Sequence, residues 1–191
     1  MFEPILVADV GGTNARFALV TAFDKTTKEI VFNNIQKFSS LEFDSFADVV
    51  AAYIDTLDSV PNNACFAVAG PRKKDTVFLT NLGWQFNVSD IKQQFGFANF
   101  KVINDFAAFA HASPYIDNTA NLVIKEGHSH SDGNIAVIGP GTGFGAAALV
   151  KGEEQNVVLS CEAGHISLAA CNELERNLIT ALSEEFEHVS V

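Results

Sequence analysis

Residues 9–16 read Asp-Val-Gly-Gly-Thr-Asn-Ala-Arg and directly follow the apolar run Ile5-Leu6-Val7-Ala8. The run predicts a strand that delivers a carboxylate to a tight polar turn. Glycine lets backbone N–H groups approach an anion closely, because no Cβ intervenes. Thr13 and Asn14 add side-chain donors beside Gly11 and Gly12. Asp9 has no obvious cationic partner nearby in sequence, and a carboxylate beside a phosphate loop makes sense chiefly through a divalent metal. The stretch is thus suited to the phosphates of a nucleotide and its magnesium ion. The competing reading is a β-hairpin whose Gly-Gly merely satisfies the turn.

Two further groups could do chemistry. Asn104-Asp105 stands where a strand ends and a helix begins, the place where active-site groups gather in open α/β sheets. An aspartate there can accept a proton from a substrate hydroxyl in the transition state. It is too weak a base to ionise an alcohol beforehand, so positioning must carry much of the effect. The alternative is that Asp105 only caps the helix that follows. Glu162-Ala163-Gly164-His165 places a carboxylate and an imidazole three residues apart. Such a pair can converge on vicinal hydroxyls, Glu accepting and His accepting or donating. A lone Glu and His in a loop are also common surface residues. His128 and His130 alternate in a polar stretch, but no third ligand lies close by, so a solvated loop is expected there.

These groups must be positioned by a fold. Strands are expected near 4–10, 15–22, 29–38, 64–69, 75–80 and 99–103. An amphipathic helix is expected near 44–57, with Phe46, Val49, Val50, Tyr53, Ile54 and Leu57 at helical spacing and Asp44 or Ser45 as its cap. A short helix should start at Ser89, and another at Phe106. The order describes a mixed α/β domain over 1–112. A polar, irregular stretch around 113–133 comes next. A second strand–glycine loop–strand pattern then begins, with strands at 134–138 and 144–151 around Gly139-Pro140-Gly141-Thr142-Gly143 and a third strand near 156–160. The pattern at 135–150 echoes that at 5–20. In a duplicated fold, two such hairpins can grip a phosphate chain from both sides. A last helix is expected from about 173 to the end, with Leu174, Leu178, Leu182 and Phe186 as one apolar stripe and Asn172 with Glu175 as a capping box. The second domain, 113–191, shows fewer elements than the first, which implies that the chain is an incomplete protein.

Composition bounds the function. The chain has 191 residues, 48% of them hydrophobic, enough for a real core. Seventeen phenylalanines against two tyrosines and one tryptophan suit packing. A formal net charge of −11 argues against general affinity for nucleic acid or anionic membrane. A phosphorylated ligand stays possible, because backbone amides and a metal bind it locally. Three cysteines fit free thiols in a reducing compartment. Neither a signal-peptide pattern nor an apolar run of about 18 residues occurs, so a soluble cytoplasmic protein is expected.

The motifs form an ordered set: Asp9-Val-Gly-Gly-Thr-Asn14-Ala-Arg16, Thr80-Asn81-x-x-Trp84, Ile103-Asn104-Asp105-Phe106, Gly139-x-Gly-Thr-Gly-x-Gly145, Glu162-x-Gly-His165 and Glu185-x-x-His188-Val-Ser190. In that order they resemble the bacterial-type glucokinase family, over essentially the whole chain. The resemblance implies the ribonuclease H-like, actin-like ATPase fold, with a five-stranded mixed sheet and two duplicated domains that close over a cleft. It implies ATP-dependent phosphorylation of the glucose 6-hydroxyl, at the entry to glycolysis. By the same resemblance, Asp9, Gly11, Gly12, Thr13 and Asn14 form the first phosphate loop, with Asp9 acting on Mg2+. Gly141, Thr142 and Gly143 form the second. Asp105 is the catalytic base, while Asn104, Glu162, His165 and Glu185 are sugar ligands. Asn81 and Trp84 belong to a signature of structural role. A homodimer is implied for the full-length form.

The family's chain is commonly much longer. The part expected to contact adenosine is missing here, so residues 1–191 alone are expected to be inactive or weakly active. Related sugar kinases and repressors carry a cysteine-rich zinc motif after the Gly-His pair, whereas here only Cys171 follows Gly164-His165. The alternatives left open are a kinase for another hexose and a sugar-binding regulatory relative.

Overall fold

The computed structural model describes residues 2–116, 121–128, 130, 132–140 and 143–190. The chain divides into two compact units, Met1–Ala108 and Phe109–Val191.

The first unit is built on a five-stranded sheet. Its strands are β1 (Ile5–Val10), β2 (Asn14–Phe23), β3 (Ile30–Ser39), β4 (Asn63–Val68) and β8 (Asn99–Asn104), in the order β3-β2-β1-β4-β8. The glycine turn folds β2 back antiparallel to β1, and β3 adds antiparallel to β2. β4 and β8 join parallel to β1 and to each other. This is the five-stranded mixed sheet that the sequence implies. Alternation in β4 buries Ala64, Phe66 and Val68 on one face.

Phe66 is fully buried and organises the core. It meets Phe17, Phe97 and Phe100 edge-on, with ring centroids 5.9, 6.2 and 5.1 Å away. It also lies 6.1 Å from Phe46. Edge-to-face pairs at such distances add to the gain from burial alone. Phe46 opens α1 (Phe46–Ile54), which buries Phe46, Val49, Val50 and Tyr53. Ser45 caps this helix, its Oγ accepting from the Asp48 N–H at 3.2 Å. The phenylalanine bias in the composition is thus an interlocked aromatic core.

One part of the first unit departs from the expected elements. Besides β6 (Thr76–Leu79), the segment after β4 holds two more strands, β5 (Arg72–Lys73) and β7 (Trp84–Asn87), in a three-stranded antiparallel sheet. β5 and β7 are too short to show a period in sequence. Phe86 on β7 stacks on Phe46 with centroids 3.8 Å apart. Asp75 lies in the β5–β6 turn and caps α2 (Val88–Gln94): its carboxylate accepts from the Ser89 hydroxyl at 2.6 Å and the Ser89 N–H at 3.1 Å. The cap comes from a residue distant in sequence, so local reading could not find it.

The second unit repeats the first pattern: β9 (Ile135–Pro140), β10 (Phe144–Val150) and β11 (Val157–Cys161) form an antiparallel sheet in the order β11-β10-β9. The final helix, α4, runs only over Glu173–Ser183, not to the chain end as its pattern suggested. Acidic Glu184 and Glu185 follow at the negative end of the helix dipole. The last turn tightens there, with Glu184 N–H bonding Ala181 O and Glu185 N–H bonding Leu182 O. The capping box holds: Glu175 N–H donates to Asn172 Oδ1 at 2.9 Å. The Glu175 carboxylate reaches back to Cys171 N–H. Of the expected stripe, Leu174, Leu178 and Phe186 are exposed.

Phe66→Ala should remove about 3–5 kcal/mol of stability, the range for emptying a buried phenylalanine site, measured by urea unfolding against wild type. A loss below about 1 kcal/mol would show that Phe66 does not organise the core. A pH effect is expected at Asp75. Its hydrogen bonds from Ser89, aided by Arg72, hold the carboxyl below the usual aspartate range. Its stabilisation is therefore complete above that range and is lost as the pH falls through the lowered folded value. The stability gap between wild type and Asp75→Asn should be widest above about pH 5 and close on further acidification. Urea titrations from neutral to acid pH measure it, and a gap that stays constant would contradict the cap.

Candidate functional site

In the first unit the candidate residues collect at the ends of parallel strands. β1, β4 and β8 finish in register: Val10 pairs with Val68, and Val68 with Asn104. The Ala69 N–H extends the ladder to Val10 O at 3.0 Å. The glycine turn after β1 and Asn104-Asp105 after β8 therefore leave the same, carboxyl edge of the sheet. Two strand spacings separate them, about 10 Å. That edge is where open α/β sheets bind ligands.

The turn itself is tightly specified. Gly11 N–H donates to Asn14 O at 2.9 Å. A Cβ on Gly12 would lie 3.0 Å from Asn81 Cβ, so the Asn81 side chain backs the turn and leaves little room there. This gives Asn81 a contact with the turn, which its place in a structural signature did not foretell. Trp84, from the same signature, is buried in the core.

Asp9 is exposed at the strand end. Its Oδ2 accepts from the Arg16 guanidinium at 3.0 Å. This corrects the expectation that Asp9 lacks a nearby cation. Seven residues separate the pair in sequence, yet hairpin register puts Arg16 directly opposite Asp9. With both side chains about half exposed, such a pair contributes little to stability. Among the described residues, no group of three or more His, Cys, Asp or Glu is arranged to hold a metal.

At the other end of the edge, the cap question divides between two residues. Asn104 Oδ1 accepts from Ala107 N–H at 3.1 Å, the geometry of an N-cap. Asp105 Oδ1 accepts from Phe106 N–H at 2.9 Å at the first position of α3 (Asp105–Ala112). Both residues are half-buried. Asn104 keeps its NH2 group as a donor, since only its oxygen is engaged in the cap.

In the second unit, the Glu162–His165 segment follows β11 as a single helical turn, with His165 N–H bonded to Glu162 O at 2.9 Å. Glu162 and His165 are exposed. Gly164 presses on the start of β10: a Cβ there would lie 2.9 Å from Phe144 O and 3.2 Å from Phe144 N. Phe144 pairs with Pro140 across the second glycine hairpin. The small residue at 164 thus brings the Glu162–His165 turn against that hairpin. Gly143 is exposed, while Gly141 and Thr142 lie outside the described residues.

His188, quoted in a motif but given no role, ties the chain end to this turn. Its Nε2 lies 3.0 Å from His165 O. Leu168 N–H bonds Val189 O, and Ser167 bridges Ser190. Glu185, expected on the terminal helix, lies beyond its end at Ser183. It is exposed beyond the α4 cap, and no hydrogen bond among the described residues joins it to Glu162 or His165.

Comparison with known proteins places this geometry. The glucokinase family model matches residues 6–191. The glucokinase of Saccharophagus degradans is 40% identical over 188 residues, which are 98% of this chain and 58% of that protein. A crystal structure of glucokinase from an Antarctic psychrotroph superposes with a TM-score of 0.83 at 53% identity, covering 100% of this chain and 59% of that one. A ROK-family glucokinase from Streptomyces griseus, solved with glucose and AMPPNP, shares the fold at 19% identity, with a TM-score of 0.57 over 87% of this chain and 51% of that one. The fold is that of the actin-like ATPase sugar kinases. The chain belongs to the glucokinase family. It spans a little under three-fifths of the length of the curated relatives it matches.

Gly164→Ala should force the turn off Phe144, because backbone atoms cannot give way as a flexible side chain can. The expected cost is about 1–3 kcal/mol, with faster amide exchange at His165 and Ile166 by hydrogen-exchange mass spectrometry. Unchanged exchange in this segment would refute the close approach.

Proposed function

We propose that the complete protein transfers the γ-phosphoryl group of ATP to the 6-hydroxyl of glucose. Family membership supports this reading. The observation that carries it is the shared carboxyl edge, where the glycine turn and Asn104-Asp105 lie two strand spacings apart.

In this reading Asp105 orients the 6-hydroxyl and accepts its proton as the oxygen attacks. Its intrinsic basicity is low, so the gain comes from holding the hydroxyl in line with the phosphorus. Asn104, whose oxygen is spent on the helix cap, offers its NH2 to a sugar oxygen. Glu162 and His165 are proposed as further sugar-hydroxyl ligands. Glu185, assigned to this set by the family resemblance, lies beyond the end of α4 with no hydrogen bond to Glu162 or His165 among the described residues, and no role is proposed for it. Amides of the turn at residues 11–14, and those at 141–143, are proposed to face phosphate oxygens.

Magnesium fits the donors present on chemical grounds. Mg2+ is usually held by one or two carboxylates together with substrate phosphates and water, so the lone exposed carboxylate of Asp9 suffices. Bound there, the ion would supply charge neutralisation for the phosphates. Arg16, on the same carboxylate, holds it at the strand end. The cysteines are free thiols, which suits the reducing compartment of a cytoplasmic enzyme. No helix among the described residues is long and apolar enough to cross a membrane.

Asp105→Ala in the full-length protein should lower kcat by about 10²–10⁴-fold, the span for loss of a general base. Glucose binding by calorimetry should change little. A kcat within about tenfold of wild type would remove Asp105 from the role of base.

A further inference from the structure

Ser40 lies between β3 and α1, outside every motif singled out in the sequence, yet it is fully buried and is the buried polar residue of the described core. Both of its hydrogen-bonding donors go to the glycine turn. Its N–H donates to Thr13 O at 3.0 Å, and its hydroxyl donates to Gly11 O at 3.0 Å. Asn14 O is taken by Gly11 N–H. Three carbonyls of the turn are therefore consumed within the protein. Among the described residues, the N–H groups of Gly12 and Thr13 donate to no backbone acceptor.

We infer that Ser40 is the positioning residue that sets the polarity of the phosphate turn, an inference that rests on the proposed phosphate role of residues 11–14. Gly11 C=O and Gly12 N–H belong to one trans peptide unit and point to opposite sides. Two glycines in succession leave that unit able to turn over at small conformational cost. A flipped unit would present a carbonyl oxygen to an anion instead of an N–H. The Ser40 hydroxyl holds Gly11 C=O inward, and Gly12 N–H is thereby directed outward. Asn81 packs against Gly12 and leaves little room for the turn to shift there. The serine thus touches no phosphate itself. It acts through the orientation of a peptide, and the ligand class it selects is an oxyanion of the polyphosphate type.

The test uses the full-length protein with Ser40→Ala and Ser40→Thr, the latter keeping the hydroxyl. Ser40→Ala should raise KM for ATP about tenfold or more, leave KM for glucose within about twofold, and weaken binding of inorganic tripolyphosphate in calorimetry by a similar factor. Ser40→Thr should recover most of that loss. Hydrogen exchange supplies a readout should the threonine variant fold poorly: the amides of Gly11 and of residue 40, bonded to Asn14 O and Thr13 O, should exchange faster in Ser40→Ala while those of β4 keep wild-type protection. Equal changes in both KM values, or unaltered tripolyphosphate binding, would overturn the inference. Wild-type protein that binds tripolyphosphate but phosphorylates no glucose would overturn the kinase reading, and selective loss of that binding in Ser40→Ala would still uphold the role of Ser40. Wild-type protein that phosphorylates glucose but binds no tripolyphosphate would overturn the role given to Ser40 and leave the kinase reading standing.

Discussion

The in-register finish of β1, β4 and β8 is the constraint on which the candidate chemistry of the first unit depends. Parallel strands run their carbonyl ends to one edge. When Val10, Val68 and Asn104 lie in one row, whatever follows each strand must share that edge. The glycine turn and Asn104-Asp105 are separated by about ninety positions in sequence and by two strand spacings in space. A slip of one residue in β8 would send Asn104 to the other face of the sheet and spoil the arrangement. What prevents the slip is the alternation that buries Ala64, Phe66 and Val68 on β4, and Val102 on β8, in the aromatic core. Packing of Phe66 among Phe17, Phe46, Phe97 and Phe100 is therefore a condition for the site as well as for the fold.

Local turns then do finer work with backbone groups. The first glycine turn is held by Ser40 and backed by Asn81. The Glu162–His165 turn is held by the fit of Gly164 against Phe144 and by His188 on His165 O. In both places a residue without chemistry of its own fixes one that has it. The two units also use the same antiparallel three-strand motif to carry a glycine hairpin, β1-β2-β3 in one and β9-β10-β11 in the other.

Much of this was legible in the chain because it rests on short-range patterns. Alternation and continuous apolar runs marked β1, β2, β4 and β8, and helical spacing marked α1. Ser45 and the Asn172/Glu175 pair announced their caps by residue type. The order of six motifs pointed to the family, which a match over residues 6–191 shows. Other features were missed because they rest on partners distant along the chain or on elements too short to show a period. Arg16 faces Asp9 only through hairpin register. Asp75 caps α2 from the β5–β6 turn, fourteen residues before Ser89. The end of α4 was missed because its apolar stripe continued to Phe186, whereas two glutamates at the negative end of the helix and the bridge from Ser190 to Ser167 stop it at Ser183.

Sequence alone determined the residue types of the candidate site, the order along the chain of the five strands of the main sheet, and the duplication of the glycine hairpin. These follow from side-chain chemistry and from periods of two and 3.6 residues, which act over a few positions. Tertiary structure decided which carboxylate caps α2, which cation meets Asp9, and that a buried serine outside every motif governs the glycine turn. Each of those outcomes depends on hydrogen-bond donors and acceptors made neighbours by strand pairing and burial. A buried donor must find an acceptor wherever the fold supplies one, and no local pattern records where that will be.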